Sequence, residues 1–419
     1  LSLLGRAFKV LRRDGSGEFI VRSISFCRKS ILTWRHPDRF ISESNHRLAL
    51  DEYDRRAAVM NATPRDLTIE TTTRCNLRCV MCWHSFGSGI EPMDMPKMFV
   101  DMLAGYMKRA NFMQLHGNGE PLLSLAFWRI LDIVAGQCRD GTCISINSNG
   151  QLLTDKIAAK LVRSPLHNIN ISLDAATHAT YKKIRGADFD NVLKNIRNLI
   201  SARKELGCKL PQLYVNMTLF GANIAELPEF IELASELGVD KAFFWHVNQD
   251  EGHEKVDWRV ERDGWVFNYD DQLTSKCPEL SNRMVRKALD RARELGLEID
   301  TGNYKQLWFP EYSREESEVS GELPVNEKLR DKKKRLGGVF SAARTGVDCD
   351  APWRWLVVGI DGTVRACCHM TGPLGDLKRE EPERIWNGSE MQAVRHAIRD
   401  KRLHRLCRGA ACEYAHTYS

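Results

Sequence analysis

From residue 66 to about 250, short apolar runs of period two alternate with longer stretches of helical period, which is the pattern of βα units and a parallel sheet. Six strands are expected: Leu67 to Thr71, Phe112 to His116, Cys143 to Asn147, Asn168 to Leu173, Tyr214 to Leu219 and Ala242 to Val247. Helical patterns fall between them, around Lys97 to Arg109, Asp155 to Val162, Asn191 to Leu206 and Leu227 to Leu237. Alternation within the strands assigns two faces. One is apolar: Met113, Leu115, Ile144, Ile146, Ile169, Ile171, Val215, Met217, Phe243 and Trp245. The other is polar: Gln114, His116, Ser145, Asn147, Asn170, Ser172, Asn216, Thr218, His246 and Asn248. The apolar set is expected to pack under the helices. The polar set would then line an interior, where buried amides and hydroxyls need water or a ligand to satisfy them. A polar cavity implies a polar substrate.

Residues 256–348 are less regular, with a helix around Ser281 to Leu295 and a charged stretch from Ser313 to Arg335. After residue 349, an Asp361-Gly362 turn marks a small hairpin and a helix is expected near Met391 to Ile398. The chain has 419 residues, 43% hydrophobic and 28% charged, which fits a globular protein of two domains. Its apolar runs are too short to cross a bilayer and no signal-peptide pattern opens it, so a cytoplasmic location is expected. The net charge of +6 is modest and gives no nucleic-acid footprint. Most of the excess lies in residues 1–40, where Leu1, Leu4, Ala7, Phe8 and Leu11 recur at helical spacing beside Arg6, Lys9, Arg12 and Arg13. Such a helix either packs on the core or makes weak contact with a membrane surface.

Thirteen cysteines change the picture, because reducing compartments favour metal or catalytic use over disulfides. Cys75, Cys79 and Cys82 form a C-x3-C-x2-C run on the loop leaving the first strand, at the end of the sheet where α/β folds place their sites. Three thiolates this close can hold three irons of a [4Fe–4S] cubane and leave the fourth iron open; a zinc site is the alternative.

This run resembles the signature of the radical S-adenosylmethionine (SAM) superfamily, with Met81 where that family usually has an aromatic residue. The resemblance implies a partial (β/α)6 barrel in an α/β fold, and a cluster whose open iron is chelated by SAM. His116-Gly117-Asn118-Gly119-Glu120-Pro121 resembles the family's Gly-Gly-Glu-Pro motif, with Asn118 at the first glycine, and implies SAM contacts at Gly119, Glu120 and Pro121. Ser172, Asp174 and Arg185 match the stretch that contacts the SAM ribose and carboxylate in relatives. The Asn147 to Gly150 stretch is expected in the cavity wall.

The last seventy residues or so resemble the SPASM/Twitch extension, on Cys349, the glycine-turn hairpin, Cys367, Ile385-Trp386-Asn387, Cys407 and Cys412. The resemblance implies an auxiliary [4Fe–4S] cluster held by Cys349, Cys367, Cys407 and Cys412, with Cys368 able to replace Cys367 and a zinc knuckle as the alternative. Too few cysteines remain for two auxiliary clusters, which favours the shorter Twitch form. The expected organisation is a basic helical extension over 1–62, the barrel over 63–255, a helical and charged bridge over 256–345 and the auxiliary domain over 346–419.

The implied activity is hydrogen-atom abstraction from a polar small molecule, with a flavodoxin- or ferredoxin-like reductant. Oxidation of a carbinol carbon in a sugar- or aminocyclitol-like substrate is the first expectation, with His246 as proton acceptor. Epimerisation with Cys277 or Cys368 as hydrogen donor, peptide modification, and an electron carrier without SAM chemistry are the alternatives.

Overall fold

In the computed structural model, residues 41–85, 91–135, 142–247, 258–300, 309 and 349–407 are described. The basic N-terminal pattern, Asn248, the charged stretch and Cys412 lie outside them. The six expected strands are present as β1 (Asp66–Ile69), β2 (Phe112–Gln114), β3 (Cys143–Ser148), β4 (Asn168–Ser172), β5 (Gln212–Leu219) and β6 (Lys241–His246), paired in parallel in that order. Before β1 lies α1 (Ile41–Asp54). The connecting helices are α2 (Lys97–Met107), α3 (Leu125–Ala135), α4 (Asp155–Arg163), α5 (His178–Arg185), α6 (Phe189–Glu205) and α7 (Leu227–Leu237). Local chemistry sets their ends. The Asp188 carboxylate accepts from the Asp190 and Asn191 amides to start α6, and Gly238 closes α7 at φ 74°. No helix among the described residues is long and apolar enough to cross a membrane.

The apolar face behaves as expected over β2 to β5: Met113, Ile144, Ile146, Ile169, Ile171, Val215 and Met217 are fully buried. In β6 the faces are the reverse of the expectation. Ala242 and Phe244 are the buried pair, and Trp245 is 40% exposed. Phe243 pairs with Asn216 and Trp245 with Thr218, which puts both aromatics on the polar inner face, while His246 pairs with Leu219. An Ala-Phe-Phe-Trp run carries no alternation, so only the register with β5 decides its phase.

Beyond the barrel come the hairpin β7 (Arg259–Arg262) and β8 (Trp265–Asn268), then α8 (Pro278–Leu295) and β9 (Ile299–Asp300), which pairs with β6. The C-terminal region holds α9 (Ala351–Arg354), β10 (Trp355–Val358), β11 (Thr363–Arg365), β12 (Gly375–Asp376), α10 (Pro382–Trp386) and α11 (Ser389–Arg399). Its hairpin is not a separate sheet. Asp66 to Ile69 of β1 pair in parallel with Trp355 to Val358 of β10, giving one ten-stranded sheet in the order β12-β11-β10-β1-β2-β3-β4-β5-β6-β9.

Side chains of the C-terminal region also hold the segment leading into β1. Trp353 Nε1 donates to Ala57 O at 2.8 Å and Trp386 Nε1 to Ala62 O at 2.8 Å. Asn387 exchanges two 2.8 Å bonds with the Met60 backbone, and Arg395 donates to Ala58 O at 2.8 Å while its guanidinium lies 4.5 Å above the Trp386 ring. Trp386→Ala removes a fully buried ring and orphans the Ala62 carbonyl, so a loss of about 3–5 kcal/mol is expected. Thermal unfolding against the unaltered protein measures it.

Candidate active site at the cysteine loop

The cysteine loop leaves β1 through Thr71, Thr72 and Thr73, all buried, and is braced from two neighbouring strand ends and a helix. From β2, the Glu120 amide donates to Arg74 O at 2.8 Å. Gly119 is required there, because a Cβ would sit 2.5 Å from Thr72 O and 2.7 Å from Arg74 O. From the end of β3, Asn149 donates to Asn76 Oδ1 at 2.8 Å and faces Cys75 Sγ at 3.9 Å. From α5, Arg185 Nη1 donates to Cys79 Sγ at 3.4 Å.

The three thiols feel one another. Burial pushes Cys82 up to about 11, with the neighbouring Cys79 and Cys75 adding to the rise, and burial likewise raises Cys75. Bare thiolates at this spacing repel; cations between them reverse that cost, as metal-bound thiols ionise outright. A cubane takes each thiolate at a different corner. The donor set fits a cluster.

Several expected SAM contacts are placed elsewhere. The Glu120 carboxyl points into the protein, accepting from Ser148 Oγ and the Asn149 amide, both at 2.7 Å, and from the Leu122 amide at 3.2 Å, while burial raises its pKa. It organises the β3 loop, while the Glu120 backbone amide and the close approach at Gly119 are what meet the cysteine loop. Asp174 is fully buried, accepts from the Thr218 amide at 2.7 Å and pairs with Arg185. Arg185 is thus engaged by a carboxylate and a thiol. Ser172 lies on the inner face as expected and donates to Asn216 Oδ1 at 3.2 Å.

His246 does not stand on the polar face. Its Nδ1 shares a 2.7 Å bond with the Thr274 hydroxyl and its ring lies 5.3 Å from Phe309. Cys277 follows on that turn, its amide donating to Thr274 O at 3.0 Å, while Cys368 is exposed. Burial pushes Cys349 up to about 12, and Cys367 and Cys407 are among the thiols that add to it. These three are gathered.

Two features escaped the sequence reading. Asn149, assigned to the wall alone, reaches the cysteine loop. Glu70 accepts from the Asn118 amide at 2.9 Å and side chain at 2.8 Å and from the Ile360 amide at 3.2 Å, joining the loop after β2 to the C-terminal hairpin. The one available signal was Asn118 itself, standing at a family glycine. Trp83 packs at 4.5 Å on Trp258.

Two sequence families match the chain: the radical SAM superfamily over residues 69–234, and SPASM, an iron-sulfur cluster-binding domain, over residues 349–413. The chain carries a radical SAM domain followed by a SPASM domain.

The radical SAM domain brings a [4Fe–4S] cluster and SAM, and the SPASM domain brings auxiliary iron-sulfur binding. Mycofactocin maturase MftC of Mycobacterium tuberculosis is 28% identical over 177 residues, 42% of this chain and 43% of that protein. A cofactor-modifying protein for the tungsten-containing aldehyde ferredoxin oxidoreductase of Pyrococcus furiosus is 29% identical over 177 residues, 42% of this chain and 49% of its own. The chain thus matches less than half the length of these relatives. Among solved structures, Streptococcus suis SuiB bound to SAM superposes with a TM-score of 0.55 at 13% identity, over 84% of this chain and 72% of that one. SuiB has also been solved with its precursor peptide SuiA, superposing with a TM-score of 0.54 at 12% identity, over 84% of this chain and 70% of that one. These likenesses concern the fold.

Proposed function

We propose that this radical SAM enzyme modifies a peptide by abstracting a hydrogen atom from one of its residues. The cluster and SAM, when bound, supply the 5′-deoxyadenosyl radical that makes the abstraction. Cys75, Cys79 and Cys82 hold the SAM cluster, and the Gly119 to Pro121 backbone meets the SAM amino group. Cys349, Cys367, Cys407 and Cys412 hold one auxiliary cluster, and a flavodoxin- or ferredoxin-like protein delivers electrons.

The observation that carries the substrate reading is the inner face of the barrel. Gln114, Ser145, Asn147, Asn170, Ser172 and Asn216 stand in register there, and Asn170 Oδ1 and His116 Nδ1 are enclosed without a hydrogen-bond partner. Burial pushes His116 down to about 4, so it stays neutral and can accept from a substrate N–H. Amide side chains match the alternating donors and acceptors of a peptide backbone, and Phe243 and Trp245 add an apolar wall for a side chain. MftC's name as a maturase and SuiB's precursor peptide support a peptide over the sugar-like molecule expected from the sequence.

Anaerobic enzyme with SAM and reductant is to be offered a library of side-chain-deuterated peptides and a panel of carbon-deuterated aminocyclitols. Deuterium is expected in 5′-deoxyadenosine from peptides, measured by mass spectrometry. Transfer from an aminocyclitol and from no peptide would refute the peptide reading and restore carbinol oxidation.

A further inference from the structure

The contact between Arg185 and Cys79 is built rather than incidental. The guanidinium is held from one side by Asp174, a fully buried carboxylate whose backbone sits at φ 58°, a conformation that costs a non-glycine residue free energy unless its surroundings impose it. The Asp174 backbone is fixed on both sides, the amide donating to Asn216 O at 3.2 Å and the carbonyl accepting from Asn223 Nδ2 at 2.9 Å, while its carboxylate accepts from the Thr218 amide at 2.7 Å.

The other side is equally fixed. The Val80 amide, next to Cys79, donates to Ile184 O at 3.0 Å, so the cysteine loop and the end of α5 are joined at adjacent residues. Arg262 of β7 donates to Ile184 O at 2.9 Å and Lys183 O at 3.3 Å and also bonds Arg78 O, clamping both strands of that junction. Gly186, at φ 67°, closes α5 in a conformation that favours glycine, and a Cβ there would lie 2.8 Å from the Arg262 guanidinium and push the clamp aside.

A buried ion pair alone does not account for this arrangement, since desolvation roughly cancels the attraction within such pairs. What the pair secures is a guanidinium N–H aimed at sulfur. Hydrogen bonds to cluster sulfurs and nearby positive charge stabilise the more negative, reduced state, and both are among the levers that set cluster potentials. We propose that Arg185 is a positioning residue whose N–H···S bond to Cys79, braced by Asp174, raises the reduction potential of the SAM cluster. The inference rests on Cys79 being a ligand of that cluster.

The test is an EPR-monitored redox titration of the reconstituted full chain, without and with SAM, for wild type, Arg185→Gln and Arg185→Lys. Arg185→Gln is expected to lower the ratio of reduced to oxidised SAM cluster about tenfold at a fixed poise, equivalent to about 59 mV for one electron. Arg185→Lys keeps the charge and a donor and is expected to shift less, which gives a reading if the glutamine variant fails to assemble. An unchanged potential with full iron content overturns the proposal. So does an unchanged potential joined to a large loss of SAM affinity by calorimetry, which would make Arg185 a carboxylate contact. Wild type lacking any SAM-perturbed [4Fe–4S] signal would instead refute the ligand assignment beneath it.

Discussion

Alanine at Cys75, Cys79 or Cys82 is expected to abolish SAM cleavage, taking 5′-deoxyadenosine after dithionite reduction to background. On the proposed assignment each thiolate holds a different corner of the cubane, so two remaining ligands do not retain it. Iron should fall from about eight per chain to about four. The Cys79 variant carries a second cost, because the Arg185 guanidinium loses its sulfur partner in a buried site. Cleavage at the wild-type rate in any of the three variants would mean that the open cluster lies elsewhere.

The C-terminal cysteines should separate the two halves of the reaction. Cys349→Ala or Cys407→Ala is expected to leave SAM cleavage measurable while removing product, with iron again near four per chain. The reasoning is spatial: these thiols gather around Cys349 and leave the loop after β1 untouched. Because Cys349 precedes α9 and β10, far-UV circular dichroism must accompany the assay to exclude loss of the sheet. Product formation that survives complete loss of the auxiliary cluster would refute its role in turnover.

Much of the barrel was legible because each of its elements has a local signature. The cysteine spacing, the alternation in β2 to β5 and the helical periods of α2, α4, α6 and α7 are written in consecutive residues. The phase of β6 was not, since four apolar residues in a row fit either face. Arg185 was legible as an arginine suited to a carboxylate, but the carboxylate it meets is Asp174, brought to it by a left-handed turn after β4. Glu120 was recognised by its motif, yet its side-chain direction depends on Ser148 and Asn149 at the end of another strand. Cys367 and Cys368 are adjacent and chemically identical, and what distinguishes them is exposure, Cys367 being half-buried and Cys368 exposed.

The parallel pairing of β10 with β1 bears on the order of synthesis. Glu70 and the Ile360 amide it accepts from are 290 positions apart, and β1 meets β10 just before them. Until the ribosome has released that distant stretch, the strand carrying the cysteine loop is an edge, with one row of N–H and C=O groups open to any passing strand. A chain cut short before residue 349 is therefore no smaller working barrel. It is a sheet with an adhesive border running beside its cysteine loop.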